Sequence, residues 1–329
     1  MSLNLRDVRA AHKRIRHISV ATPLIPSMLS GQSGCELLLK LETTQPTRAF
    51  KIRGAANAIG SLTDEQKSRG IVCCSTGNHG RAVAFAAKQL GIAATVCLSE
   101  LVPEAKAGAI EDLGANVRRV AQTQEDATLE TKRIAAGGVT EISAFDDVEV
   151  VAGQATITLE LFERRPDLQN IIIPLSGGGL AGGMAFAAKQ MQPRVRVVGV
   201  SMERGAGMYE AVRAGKPVEV EEYPSLADAL GGGIGADNRI TFDLCRKYLD
   251  DIVLVSEKEI YNAMRVAFQQ DGIVTEGAGA VCHAALLAGK LKLEGATAFV
   301  VSGANVDMKM FQKIINGETL RLGDVEVGP

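Results

Sequence analysis

Residues 170–192 read NIIIPLSGGGLAGGMAFAAKQMQ, in which an apolar run is followed by consecutive glycines and then by an alanine-rich run. The β-branched start is typical of a strand that is covered on both faces. The glycines mark a tight turn, and the alanine-rich segment has the pattern of a helix. The stretch therefore predicts one strand–turn–helix unit of a parallel sheet.

The same alternation of strand-like and helical runs continues along almost the whole chain. The other strand-like runs are residues 71–75, 93–99, 116–120, 140–145, 195–201, 251–256 and 297–303. Strand, helix and strand in succession imply parallel sheets with right-handed crossovers. Because these runs are too many for one open sheet, we predict an α/β fold with two open, twisted, mostly parallel sheets and flanking helices. We expect a ligand beyond the carboxyl ends of the strands.

The composition excludes several classes of partner. The 329 residues include 36 basic and 38 acidic side chains, for a net charge of −2, and 46% are hydrophobic. Such a chain can bury a sizeable core, but it has no excess of positive charge that would attract nucleic acid or a membrane surface. The absence of Trp and an aromatic content of 4% also argue against base stacking.

The cysteines and histidines give no sign of a metal centre. The six cysteines form no CxxC pair, and neither HExxH nor GxSxG occurs. Free thiols in apolar runs, together with a charged start that lacks an apolar leader, favour a cytoplasmic protein. We therefore expect no bound metal and no membrane segment.

The glycine run has two chemical interpretations besides that of a tight turn. SGGGLAGG, residues 176–183, follows a strand and opens a helix, so its backbone N–H groups suit a phosphate. Gly177, Gly179 and Gly182 also match GxGxxG, and Glu203 follows about 20 residues on, as in dinucleotide-binding proteins. The second interpretation predicts a nicotinamide-dependent oxidoreductase.

Two further polar turns follow strand-like runs. STGNHG, residues 75–80, places Thr76 and Asn78 at a helix start that suits a carboxylate, although such residues also serve as ordinary helix caps. SGAN, residues 302–305, places the hydroxyl of Ser302 at a strand end, where it is equally a candidate cap.

TRAFKIRG, residues 47–54, contains a single lysine. Lys51 lies between Phe50 and Ile52 and is either a solvated charge or an amine in a dry pocket. Loss of water lowers the pKa of an amine, and only the neutral amine is a nucleophile.

Taken together, these motifs resemble the fold-type-II pyridoxal 5'-phosphate enzymes, in the branch of the threonine/serine dehydratases and serine racemases. The resemblance runs from Thr22 to Ile315. The motifs that carry it, in order, are KLETTQPTRAFKIRGA, STGNHG, FDDVEVVAGQATI, IIIPLSGGGLAGG, TEGAGA and SGANVD. The first of them is also similar to dehydratases of hydroxyectoine breakdown.

The resemblance implies a role for each site residue. Lys51 would be the Schiff-base lysine and the base for the α-proton, Phe50 would pack on the cofactor ring, and Asn78 would bind its 3-oxygen. Ser302 would face the pyridine nitrogen, and Glu276 would support the site. The implied cofactor-binding residues are Phe50, Lys51, Asn78, Gly177, Gly178, Gly179, Leu180, Glu276 and Ser302. The residues implied for the substrate carboxylate are Ser75, Thr76, Gly77, Asn78 and His79. Thr76 also occupies the position that separates racemases from dehydratases, and we count it with Lys51 as catalytic.

The implied reaction is α,β-elimination from an L-threonine- or L-serine-like β-hydroxy amino acid, giving a 2-oxo acid and ammonia. A hydroxyectoine-derived or hydroxyaspartate substrate and amino-acid racemisation stay open as alternatives.

The chain ends soon after SGANVD, so we expect a catabolic enzyme without a regulatory domain. By analogy we expect a homo-oligomer. Residues 1–51 and 149–329 would form a large cofactor-binding domain, and residues 52–148 a small mobile one.

The chain departs from the family pattern at several motif positions. Arg48 and Ala49 stand where Gly-Ser is usual, and Arg81 stands where Gln is common. Ser176 replaces the first glycine of a four-glycine loop, and Ala304 replaces a glycine. The two arginines are either surface charges or selectors of an anionic or extended substrate.

Overall fold

The computed structural model describes residues 3–75 and 77–329, with the side chains of Gln32, Ser33, Ala105 and Gln124 excepted. The chain divides into two compact units. The first unit comprises Met1–Ala21 and Gln45–Thr156, and the second comprises Thr22–Thr44 and Ile157–Pro329.

The helices and strands follow one another in the alternation that the sequence predicts. The helices are α1 Leu5–Ile15, α2 Ser30–Ser33, α3 Lys51–Gly60, α4 Asp64–Arg69, α5 Asn78–Leu90, α6 Glu104–Glu111, α7 Gln124–Ala136, α8 Val148–Arg164, α9 Gly179–Met191, α10 Gly207–Ala214, α11 Ile240–Tyr248, α12 Glu257–Asp271, α13 Gly277–Leu287 and α14 Met308–Ile315. The strands are β1 Leu24–Pro26, β2 Leu37–Leu41, β3 Ile71–Cys74, β4 Ala94–Ser99, β5 Asn116–Val120, β6 Thr140–Glu141, β7 Asn170–Pro174, β8 Arg196–Met202, β9 Asp251–Val255, β10 Thr297–Val301, β11 Leu320–Leu322 and β12 Val325–Val327.

The first unit is built on a parallel sheet. Within the described residues its strands have the order β5-β4-β3-β6, and Val72 of β3 lies between Thr95 and Glu141 of its neighbours. The apolar side chains of β3 and β4 and the alanine-rich face of α5 form one buried cluster. Helix α7 begins with a reciprocal cap between Thr123 and Asp126, which satisfies two N–H groups that the helix leaves unpaired.

The second unit is built on a larger sheet. Its described strands have the order β1-β2-β10-β7-β8-β9, and all neighbouring pairs except β1 with β2 are parallel. Phe299 at the middle of β10 pairs with Leu39 on one side and Ile172 on the other, and all three are fully buried. Strands that are apolar on both faces agree with helices covering a parallel sheet on both sides.

The predicted α/β class with two mostly parallel sheets is confirmed, and the structure adds details at the sheet edges. β1 pairs with β2 in the antiparallel direction, and residues 27–36, which include α2, connect the two strands. The C-terminal tail forms the antiparallel hairpin of β11 and β12.

The two compact units divide the chain at other points than the predicted domains. The segment Met1–Ala21 groups with the first unit, because the buried Ile15 of α1 packs in the same cluster as Ile52 and Ile59 of α3. The boundary at Thr156 falls within α8. The predicted large and small domains, and the mobility of residues 52–148, stay predictions.

Candidate active site

Lys51 is the first residue of α3, and the structure holds its amine in a fixed place. The Nζ atom donates a 2.7 Å hydrogen bond to the carbonyl oxygen of Ala144 and lies 5.3 Å from the centre of the Phe50 ring. Burial lowers the pKa of Lys51 to about 8. Roughly one amine in ten is then neutral at pH 7, against fewer than about one in a thousand for an ordinary lysine. Lys51 therefore has the properties of a nucleophile rather than of a surface charge.

The helix that begins at Lys51 is anchored by buried polar contacts within the first unit. The guanidinium of Arg53 is almost fully buried, and it donates to the Thr156 hydroxyl at 3.2 Å and to the Val20 carbonyl at 3.3 Å. The backbone N–H of Gly54 donates to the side-chain oxygen of Gln154 at 3.3 Å. These bonds fix the start of α3 and with it the position of the Lys51 backbone.

The turn between β3 and α5 carries the residues predicted for the substrate carboxylate. Ser75 follows the strand, Gly77 precedes the helix, and Asn78 is its first residue. A Cβ at Gly80 would overlap the carbonyl oxygen of Ser75, so glycine is needed for this tight approach. The N-terminus of a helix such as α5 suits an anion, because its first N–H groups point outward along the helix axis. Thr76 lies outside the described residues.

His79 has a different environment from the rest of that turn. Its side chain is buried, and its Nε2 lies 2.9 Å from the carbonyl oxygen of Ile142, so Nε2 carries the hydrogen that the carbonyl accepts. Burial lowers the pKa of His79 to about 3, and the nearby charge of Lys51 adds to this effect. The imidazole is therefore neutral near pH 7, and its Nε2 hydrogen is engaged by the Ile142 carbonyl rather than by the predicted carboxylate.

Ile142 and Ala144 were not among the residues that the sequence singled out. Each takes part through its backbone carbonyl, which every residue type possesses. A side-chain pattern carries no signal for such a role, so these two contacts are visible only in the folded chain.

The glycine loop lies between β7 and α9 in the second unit. The N–H of Leu175 still pairs with Val200 in the sheet, and α9 begins at Gly179. Gly178 has φ +86°, and a Cβ there would lie 2.7 Å from the Met208 methyl. Both the positive φ and the lack of space for a Cβ require glycine at this position. The N–H groups at the start of α9 suit an anion such as a phosphate.

Ser302 and the glycine loop follow neighbouring strands. Because β10 and β7 are adjacent and parallel, Ser302 and Leu175 emerge at the same edge of the sheet. Ser302 is buried at 3% exposure. Glu276, also buried, accepts a 2.9 Å bond from the Asn305 N–H, and its own N–H donates to Gly303 at 3.2 Å. Glu276 thus fixes the segment that follows Ser302.

The structure thus brings the predicted residues together in two groups. In the first unit, Lys51 and Phe50 share one region with the turn at Asn78, because Lys51 and His79 bond to carbonyls only two residues apart, those of Ala144 and Ile142. The second group lies in the second unit. It consists of residues at the carboxyl ends of the strands and at the starts of the helices: the glycine loop, Leu180, Glu276 and Ser302. Their roles toward a cofactor and substrate stay predictions.

Comparison with known proteins identifies the family. The family model described as pyridoxal-phosphate dependent enzyme matches residues 15–303. A Sinorhizobium fredii protein that carries the provisional name threonine dehydratase is 48% identical over 96% of this chain and 96% of its own length. The L-threonine ammonia-lyase of Thermotoga maritima is 38% identical over 98% of this chain and 80% of its own. The structure of maize serine racemase superposes with a TM-score of 0.90 at 31% identity, covering 96% of this chain and 98% of that one. The chain belongs to the family of pyridoxal-phosphate-dependent enzymes.

The residues present fit this cofactor. The Lys51 amine has a lowered pKa, as attack on an aldehyde requires, and the start of α9 offers N–H donors to a phosphate. The predicted family and cofactor are confirmed, and the nicotinamide alternative for the glycine run gains no support.

Within residues 3–75 and 77–329, no group of three or more His, Cys, Asp and Glu side chains could hold a metal ion. None of the helices in the described part of the chain is long and apolar enough to cross a bilayer. The expected absence of a metal stays a prediction.

Proposed function

We propose that this chain is a lyase that converts an L-threonine- or L-serine-like β-hydroxy amino acid into a 2-oxo acid and ammonia. The observation that carries the proposal is the Lys51 amine at the start of α3, with its pKa lowered to about 8, in a chain of this family. The names of the Sinorhizobium fredii and Thermotoga maritima relatives support the same reaction.

The reaction needs a base, two anion sites and a hydrogen-bond donor. When bound, pyridoxal phosphate supplies an aldehyde for the amine and a sink for the electrons of the Cα–H bond. Lys51 would hold the cofactor, and its Nζ would then take the α-proton. The N–H groups of Gly177–Leu180 would bind the phosphate, and the start of α5 would bind the substrate carboxylate. Phe50 and Asn78 would orient the cofactor ring, and Ser302 would offer a neutral hydroxyl to its nitrogen.

Borohydride reduction tests the central assignment, because it makes the link between cofactor and lysine permanent. Peptide mapping of the reduced holoenzyme should find the modification on Lys51. The Lys51→Arg variant, which keeps the charge, should take no modification and release no 2-oxo acid. A tag on another lysine would refute the proposal.

Racemisation is the second candidate, because maize serine racemase superposes with a TM-score of 0.90. Racemisation needs a second acid–base group within reach of the carbon that is reprotonated. The sequence predicts that the Thr76 hydroxyl binds substrate instead. Incubation in D₂O followed by chiral analysis separates the two reactions: a D-enantiomer that appears with wild type and disappears in Thr76→Ala would favour the racemase.

The particular substrate, the assembly and the location remain proposals. Release of 2-oxo acid should be compared for L-threonine, L-serine, hydroxyaspartate and hydroxylated diaminobutyrate. We propose a homo-oligomer in the cytoplasm, by analogy and from the free cysteines. Light scattering coupled to size-exclusion chromatography would test the assembly, and cell fractionation the location.

A further inference from the structure

The segment that follows β6 makes two hydrogen bonds to site residues in the first unit. The Ile142 carbonyl accepts from His79 Nε2 at 2.9 Å, and the Ala144 carbonyl accepts from Lys51 Nζ at 2.7 Å. The donors lie on different helices, because His79 is in the first turn of α5 and Lys51 begins α3. Residues 142–144, here termed the carbonyl strap, therefore join the two helix starts.

We infer that His79 is a positioning residue, which holds the carbonyl strap so that the Ala144 oxygen orients the amine of Lys51. The inference rests on the proposed function for its catalytic meaning, whereas the two hydrogen bonds stand independently of it.

Other contacts also hold parts of the strap: Ile142 packs in the buried cluster of the first unit, and the Ser143 hydroxyl accepts from the Phe145 N–H at 3.3 Å. Ile142 is buried, and its N–H pairs with the Val72 carbonyl of β3. Beyond Ile142 the chain leaves the sheet, because β6 ends at Glu141. Downstream, Asp147 caps the start of α8 by accepting from the Val150 N–H at 2.9 Å. The His79 bond is thus the contact that fixes the Ile142 carbonyl, two residues before Ala144.

His79 suits this task because it does not change charge near neutral pH. A buried, neutral imidazole whose Nε2 carries the hydrogen remains a donor to Ile142 throughout the working range. The choice of nitrogen follows from the carbonyl partner, which only accepts. A charged histidine would instead repel the protonated Lys51 nearby.

The Ala144 carbonyl has a direct effect on the base. An acceptor at 2.7 Å favours the protonated amine, because an ammonium donates more strongly than a neutral amine. It therefore partly offsets the loss of water that lowers the Lys51 pKa, and it keeps Nζ in one direction after the α-proton has been taken. Among the described residues Lys51 makes no ion pair, so no carboxylate substitutes for this acceptor.

The test uses His79→Leu, which removes the donor, and His79→Gln, which keeps an N–H at the end of the side chain. The first readout is the pH dependence of Lys51 acylation by acetic anhydride in the cofactor-free protein, followed by peptide mapping. His79→Leu should lower the midpoint by roughly half a pH unit, about a threefold change in the neutral fraction at pH 7. In the holoenzyme, kcat should fall about tenfold with KM changed less than twofold. His79→Gln should restore most of the acylation midpoint and most of kcat.

Two results would overturn the inference. One is an unchanged Lys51 midpoint and kcat in a His79→Leu protein whose thermal unfolding matches wild type. The other is an equal loss in both variants, which would assign His79 a packing role only. If His79→Leu does not fold, nitrogen-15 NMR of wild-type His79 decides: the hydrogen should reside on Nε2, and an Nδ1–H form or a charged ring at pH 6 would refute the inference. Failure of the proposed function would show separately, as an unmodified Lys51 after borohydride.

Discussion

Gly153 of α8 touches the backbone of α3 at Arg53, and a Cβ added to Gly153 would overlap the Arg53 carbonyl oxygen. The same Cβ would lie 2.7 Å from the Cα of Gly54. The two helices therefore meet backbone to backbone, two residues after Lys51. Because the obstacle is main chain, it cannot move aside without shifting α3.

Gly153→Ala is expected to displace the start of α3 and to destabilise the protein by roughly 1–3 kcal/mol, as overpacking of a core does. Denaturant unfolding measures the loss, and the midpoint of Lys51 acylation reports the displacement. Gly108 of α6 provides a matched control, because a Cβ there meets nothing within 4 Å. Gly108→Ala should stabilise by up to about 1 kcal/mol, since alanine is the better helix former. Equal effects would show that the close contact is unimportant.

Lys51→Met should stabilise the cofactor-free protein at neutral pH. Folding lowers the pKa of Lys51 from 10.5 to about 8, so at pH 7 the folded state carries the cost of a poorly solvated ammonium. As pH rises from about 8 to 10.5, the unfolded chain binds more protons than the folded one, and the wild type gains stability. The advantage of Lys51→Met should be roughly 1–3 kcal/mol at pH 7 and shrink toward pH 10.

Urea unfolding of both proteins at several pH values measures this difference. Other lysines and tyrosines titrate in the same range but are common to both proteins, so they cancel in the comparison. A difference that stays constant with pH would contradict a lowered Lys51 pKa.

Gly178→Ala should reduce binding of pyridoxal phosphate. The residue has φ +86°, and a Cβ would lie 2.7 Å from Met208 and 2.9 Å from the Cys245 sulfur. The added strain and overlap should cost roughly 2–4 kcal/mol and move the N–H groups of the loop. Cofactor affinity, followed by absorbance during titration, should fall at least tenfold.

Gly215, at the end of α10, is the control for backbone strain alone. It has φ +73° and nothing within 4 Å of a Cβ. Gly215→Ala should lose roughly 1 kcal/mol of stability while keeping its cofactor affinity. If both variants bind cofactor like wild type, the glycine loop is not the phosphate site.

Arg48→Gly should stabilise the protein. Arg48 has φ +57°, a conformation that glycine adopts without strain, and Ala49 beside it is fully buried. Arg48→Gly should gain roughly 1 kcal/mol, whereas Arg48→Ala keeps the strain and should gain nothing. Thermal unfolding compares the two variants.

The same two variants test whether the Arg48 side chain selects substrate. If the guanidinium recognises an anionic or extended substrate, both variants should raise kcat/KM for threonine relative to hydroxyaspartate. Unchanged ratios would make Arg48 a surface charge, as the exposure of its side chain also allows.

The sequence was sufficient for the family and the cofactor through its resemblance to a known family, and for the two-sheet α/β class through its local patterns. Lys51, the turn at Asn78, the glycine loop and Ser302 are recognisable because side-chain type and local order carry their chemistry. The alternating strands and helices likewise follow from local apolar patterns. These features depend on residues that are close together in the sequence, so they can be recognised without the tertiary structure.

Tertiary structure alone revealed the contacts between distant segments. Ala144 and Ile142 act through backbone carbonyls, and Gly153 acts through the absence of a side chain, so their residue types gave no sign of a site. The lowered pKa of Lys51 likewise depends on burial by segments far along the chain. Local sequence predicts which groups are present, but only the packed chain determines which of them lose water and which meet, because both depend on residues brought together by folding.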